Sequence, residues 1–218
     1  GLAMGQRIAI VAALHEELAE VLGLMPDEHK RQLGGRTFWT GELHGHQVVA
    51  TLSGMGKVAA ATTATLLAEH FKVERLLFTG VAGGLALGVE VGDVVVGSTF
   101  VQHDMDASPM FPRFELPGQG VTRLPGDAVL GQVLREAAQD AVTWLPKLLE
   151  PQTLAALGLH RPSVHQGLIV TGDRFVSTDA ESAALRQALP DALAVDMESA
   201  AVAQVCQAAL GTGIAPIV

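Results

Sequence analysis

The segment Val195-Asp196-Met197-Glu198-Ser199-Ala200-Ala201 sets two carboxylates around a methionine, where the apolar run Ala192–Val195 gives way to an alanine-rich stretch of helical period. An ionised carboxylate offers two acceptor oxygens and no donor, so Glu198 could grip a vicinal diol such as a ribose. Helix capping accounts for the same residues, with Asp196 as N-cap and Glu198 in a first turn that favours negative charge. A second acidic group, His15-Glu16-Glu17, follows the apolar run Arg7–Leu14. A carboxylate at a strand end can hold a water and take its proton. Acids in the first turn of a helix read the same way in sequence.

Three glycine-rich turns accompany the carboxylates. Ser53-Gly54-Met55-Gly56-Lys57-Val58-Ala59 fits the spacing G-x-G-x-x-A of dinucleotide sites. Its preceding strand belongs to a hairpin, however, and no acid ends the next strand. A Walker loop is excluded because Val58 stands where a hydroxyl should hold magnesium. What remains is a turn that lets backbone approach a ligand, with Met55 as a soft apolar wall. Thr79-Gly80-Val81-Ala82-Gly83-Gly84 is a second such exit, or simply a tightly packed turn. Gly172-Asp173-Arg174-Phe175-Val176 is a third, where Phe175 could stack on a planar base while the Val176 backbone bonds its edge, or could be core. His44/His46 and His103 with Asp104 and Asp106 lack a closed four-ligand spacing, so no metal is expected.

The elements that must position these residues alternate between strands and helices. Apolar runs mark strands at Arg7–Leu14, Arg75–Thr79, Asp93–Gln102, Gly167–Thr171 and Ala192–Val195. Arg36–Leu43 and Gln47–Ser53 read as a hairpin. Helical spacing covers His15–Leu24, Lys57–Phe71, Asp127 to about Gln139, and Ala200–Leu210, and Thr178–Glu181 is a capping box opening another helix. His103–Thr122 reads as a long loop. Asp140–His165, broken by Pro146, Pro151 and Pro162, reads as an irregular insertion. The order predicts one α/β domain over 1–218, a central mixed β-sheet with helices on both faces, and residues 1–6 as a disordered tag remnant.

Composition narrows the class. Of 218 residues, 49% are apolar and none is tyrosine, and the net charge is −9. Such a charge opposes binding to nucleic acid or an anionic membrane, and no apolar stretch is long and unbroken enough for a span. The single cysteine, Cys206, excludes a disulfide framework. A soluble cytoplasmic protein is expected.

Taken in order, Ile8–Leu14 with Glu16-Glu17, Ser53-Gly54-Met55-Gly56-Lys57, Thr79–Gly84, His103-Asp104-Met105-Asp106, Leu116-Pro117-Gly118, Gly172-Asp173-Arg174-Phe175 and Val195-Asp196-Met197-Glu198 resemble the nucleoside phosphorylase/hydrolase family. Within it they resemble the branch of 5′-methylthioadenosine/S-adenosylhomocysteine nucleosidases. The resemblance spans Ile8–Val218 apart from 140–165. It implies a nucleoside substrate, no cofactor, a homodimer, and hydrolysis of the N-glycosidic bond with release of adenine and a 5-thioribose product. Futalosine or AMP nucleosidases, and a nucleoside-binding protein without its acid, are the alternatives.

By the resemblance, Glu17 activates water, and Glu198 holds the ribose hydroxyls and the developing cation, with Asp196 beside it and Met197 against the sugar. Phe175 and Val176 take adenine, Val81, Ala82 and Gly83 shape the pocket, and Met55 lines the alkylthio site. The loop of Phe111 and Phe114 reaches a neighbouring subunit. Phosphorylases of this family place an arginine before the second glycine turn to hold phosphate; Phe78 occupies that place here. The family's acid, an aspartate, follows a strand matching Ile214–Val218. The chain stops inside that strand, so the catalytic acid and the closing helix fall outside the sequence, and no residue is assigned that role.

Overall fold

Strand β1 (Arg7–Ala12) is buried along most of its length and pairs in parallel with β4 (His46–Leu52) on one side and β5 (Arg75–Thr79) on the other. The register puts Ala12 beside Leu52 and Thr79, so three chains leave the sheet at one level. Strands β2 (His29–Leu33) and β3 (Arg36–Leu43) extend this sheet by antiparallel pairing in the order β2-β3-β4-β1-β5. A second sheet has the order β6-β10-β9-β7-β8. Its parallel members β7 (Val94–Gln102), β9 (Val164–Thr171) and β10 (Ala192–Asp196) align Gln102, Thr171 and Asp196 at their carboxyl ends. The two-residue strands β6 (Gly83–Gly84) and β8 (Leu124–Pro125) pair antiparallel with β10 and β7. This computed structural model describes residues 6–148, 151–156 and 162–209.

The mixed α/β architecture is as the alternating order predicts, but the strands pair as two five-stranded sheets. Periodicity identifies a strand; its neighbours are chosen by tertiary packing. One hydrophobic cluster nevertheless crosses both sheets, joining Val11, Phe38 and Phe78 of the first to Val96 of the second. Helices α2 (Lys57–Glu69) and α6 (Ser199–Ala209) pack together in that cluster. Their buried faces, Ala60, Ala64 and Leu67 on one and Val202 and Cys206 on the other, are mostly small and permit close approach. Burial pushes the Cys206 thiol up to about 12, which leaves it an inert core residue. Helix α1 (His15–Gly23) covers β1 and β4.

Three elements depart from expectation. Strand β2 shows no apolar alternation because it is an edge strand, and His29, Lys30 and Arg31 face solvent, where charge discourages edge-to-edge pairing. Helix α3 (Ala128–Leu148) continues beyond Gln139 into the stretch expected to be irregular. Pro146 removes only one N–H from a long ladder there. A short helix, α4 (Pro151–Ala156), lies in the same stretch. The capping box is formed as read: Thr178 Oγ1 accepts from the Glu181 amide at 3.1 Å at the start of α5 (Asp179–Ala188). Residues 1–5 of the expected tag remnant 1–6, and the strand expected over Ile214–Val218, lie outside the described residues.

Candidate active site

All three glycine-rich turns leave parallel strands at their carboxyl ends, where α/β sheets place ligands. They meet around a cavity of about 610 Å3. Its wall includes Met55, Val81, Ala82, Gly83, Phe175, Val176, Asp196, Met197 and Glu198, together with Ala13, Leu14, His15, Leu52, Gly54, Arg174 and Val195. The Ser53–Lys57 turn needs its glycines. Gly54 and Gly56 have φ of +78° and +91°, and a Cβ on Gly54 would sit 2.8 Å from that of Ala59. Gly172 is required for space, because a Cβ there would fall 2.4 Å from the His103 ring.

Glu198 is 8% exposed, and its Oε2 accepts from the Gly56 amide at 2.9 Å. Burial raises its pKa above the ordinary glutamate value; the Gly56 amide opposes that rise and the nearby Asp173 charge adds to it. A carboxylate with a single backbone donor among the described residues, at the edge of an apolar cavity, is poised to accept further hydrogen bonds from a ligand.

Asp196 plays the other part that the sequence left open. It is 5% exposed, with Oδ1 accepting from Thr171 Oγ1 at 2.5 Å and Oδ2 from the Ser199 amide at 3.0 Å. Thr171 Oγ1 in turn accepts from the Ala200 amide at 2.9 Å. These bonds tie the end of β9 to the start of α6 and satisfy amides that a helix N-terminus leaves without intrahelical partners. Asp196 therefore caps α6, and Glu198 is left to face the cavity.

Burial pushes Asp196 up to about 6, against the lowering effect of its hydrogen bonds. Because this folded value exceeds the unfolded one, the folded state binds the extra proton between about pH 4 and pH 6. Stability from this group is therefore full below that window and is lost as pH rises through it. Asp196→Asn can keep the Ser199 bond and donate to Thr171, and should remove that part of the pH dependence. Thermal melts of both proteins from pH 4 to 7 check this. The variant's Tm should gain on the parent as pH rises, and parallel curves would refute the assignment.

Two proposed site residues stand apart from the wall. Glu17 is half-buried in the first turn of α1, and its Oε2 accepts from Thr79 Oγ1 at 2.5 Å, at the end of β5. Its Oε1 is buried with no hydrogen-bond partner among the described residues. The Ala13 amide bonds the Thr79 carbonyl at 2.9 Å, so Glu17 borders the wall segment Ala13–His15. Phe111 is half-buried and does not line the cavity. Phe114 is committed to the core with Val101 and Val170 and is not available to reach another subunit.

Phe175 and Met55 line the cavity yet are 78% and 81% exposed, so an apolar rim opens to solvent. A phenylalanine held out of the core in this way is suited to stacking on a flat ligand. The sequence did not single out Leu14, Leu52 or Arg174, because only the shared cavity relates them.

Fold and cavity define a class: an α/β protein whose parallel strands deliver one partly apolar, carboxylate-bearing cleft at their carboxyl ends. The family model described as the phosphorylase superfamily matches residues 7–215, and the chain belongs to that family. It is 35% identical over 201 residues to a 5′-methylthioadenosine/S-adenosylhomocysteine nucleosidase of Chromohalobacter salexigens, covering 92% of this chain and 78% of the relative. Among solved structures, it resembles the nucleosidase of the same description from Neisseria meningitidis in complex with methylthio-immucillin-A. That match has a TM-score of 0.82 and 32% identity, over 97% of this chain and 84% of the other. A futalosine hydrolase mutant of Helicobacter pylori aligns with a TM-score of 0.80 at 28% identity, over 99% of this chain and 90% of the other.

Proposed function

We propose that the protein hydrolyses the N-glycosidic bond of 5′-methylthioadenosine and S-adenosylhomocysteine, releasing adenine. The observation that carries this reading is the convergence of Glu198, Met197, Phe175 and Met55 on one cavity. Phe175 stacks on the purine, and Glu198 accepts from the ribose hydroxyls beneath the breaking bond. As that bond lengthens, positive charge develops on the ribose, as in glycosidase transition states. A buried carboxylate with no cation partner among the described residues gains more from that charge than from a neutral substrate, so Glu198 favours the transition state over the ground state. Glu17, held by Thr79, takes a proton from the attacking water through Oε1, the oxygen that has no partner among the described residues. The departing purine must be protonated, and no described residue is assigned as that acid.

Water is favoured over phosphate because the place where phosphorylases carry an arginine holds Phe78, which is buried in the core. The rim of Met55 and Phe175 suits a thioether substituent better than a charged one. The same apolar rim, with Val81 exposed beside it, suits partial covering by a second copy of the chain, in line with a homodimer.

Adenine release from methylthioadenosine by the purified full-length protein tests the proposal. Release is expected without phosphate and should be unchanged by adding it. Phosphate-dependent release would make the protein a phosphorylase, and tight binding without release would make it a nucleoside-binding protein.

A further inference from the structure

Lys57, His103 and Asp104 belong to motifs that the reading above leaves unused. Lys57 opens α2, and its ammonium lies 2.8 Å from Asp104 Oδ1 and 3.1 Å from Gln102 Oε1, at 16% side-chain exposure. Asp104 Oδ2 accepts from the Asp173 amide at 2.9 Å, and Asp173 Oδ1 accepts from the Lys57 amide at 2.7 Å. The three residues thus close a circuit joining the amino end of α2, the exit of β7 and the exit of β9. Gln102 extends it by donating through Nε2 to Gln204 Oε1 on α6.

This circuit sits between the two groups that must grip opposite ends of a nucleoside. The amide preceding Lys57, that of Gly56, holds Glu198; two residues beyond Asp173 is Phe175. Three carboxylates, Asp104, Asp173 and Glu198, gather around one helix amino end, which favours negative charge but does not neutralise it. Among the described residues, Lys57 is the only cation paired with any of them. Desolvation would raise the Asp104 pKa, but the Lys57 ammonium and the Asp173 amide outweigh it and hold the group below the usual aspartate range. Asp104 is therefore a firm ionic post, and the β9 turn hangs from it.

We propose that Lys57 is a positioning residue: through Asp104 and Asp173 it sets the turn that carries Phe175 relative to the turn that holds Glu198. The proposal rests on the cavity being a nucleoside site, but not on turnover. Displacing a reacting group by about 1 Å can cost about 100-fold in rate, so a lost clamp need not unfold the protein to be felt.

A double-mutant cycle on the full-length protein tests this, using Lys57→Met, Asp104→Ala and the pair, with Lys57→Arg as the conservative variant. Adenine affinity by calorimetry, kcat and KM for methylthioadenosine, and Tm are measured for each. Lys57→Met should lower kcat about 10- to 100-fold. It should add little in the Asp104→Ala background, and Lys57→Arg should recover most of the loss. Losses that multiply in the pair, or a kcat for Lys57→Met within twofold of the parent, would overturn the proposal. So would a fall in Tm with kcat and affinity unchanged. A parent protein that binds adenine but releases none would sink the nucleosidase reading alone; coupled losses in affinity would then still support the clamp.

Discussion

Glu198→Gln should lower kcat/KM for adenine release by roughly 10²- to 10³-fold, the range seen when one preorganised electrostatic contact to a transition state is removed. The substitution preserves shape. Its carbonyl can still accept from the Gly56 amide, which now lies 2.9 Å from Glu198 Oε2. Two things are lost: the negative charge beneath the sugar, and an acceptor that becomes an NH2 donor facing the diol. Both kcat and KM should therefore move, with kcat taking the larger share, because the cation exists only in the transition state. Stability should move the other way. Burial already strains the charge of Glu198, and Asp173 adds repulsion, so a neutral side chain relieves the folded protein. A variant with raised Tm and crippled turnover is the expected result. Loss of Tm with kcat intact would return Glu198 to a purely structural place just before α6. The proposed role requires the ionised form, so the acid limb of the parent's kcat/KM profile should lie above the ordinary glutamate value.

That glutamate was visible in the sequence for a physical reason. Strand exits concentrate residue types that the strand itself disfavours, and glycines, prolines and acids show where an apolar run stops. The turns at Ser53, Thr79 and Gly172 were legible in this way, as was the carboxylate pair at 196–198. The division of labour within that pair was not. Capping and ligand binding ask for the same side chains, and only the bonds from Ser199 and Thr171 to Asp196 separate them. Phe111, Phe114 and Phe175 posed the same difficulty: each is an aromatic in a polar stretch, yet one is half-buried, one is core and one is open to solvent. Strand β2 was hidden because an exposed edge strand has no buried face to pattern. The Lys57–Asp104–Asp173 circuit was invisible because its members lie on three separate elements, related by sheet register rather than by spacing.

Glu17→Gln should reduce kcat by roughly 10²- to 10⁴-fold, the span attributed to a positioned general base. KM should stay close to the parent value, since the residue does not line the cavity proposed to bind substrate. The geometry explains why glutamine is the informative replacement. Thr79 Oγ1 donates to Glu17 Oε2 at 2.5 Å, and a glutamine carbonyl keeps that bond and the side chain's place in α1. The other oxygen, buried and without a partner among the described residues, is the one to which the proposed mechanism assigns the water's proton. In the variant it becomes an amide nitrogen that can donate to a water but cannot remove its proton. Thr79→Val separates positioning from chemistry. It leaves the carboxylate but removes the donor that aims it, so kcat should fall by less. Steady-state kinetics on both variants decide the matter. A kcat for Glu17→Gln equal to that of the parent would exclude Glu17 as the base and require the water to be activated from the cavity wall itself, where His15 is the nearest titratable alternative in sequence.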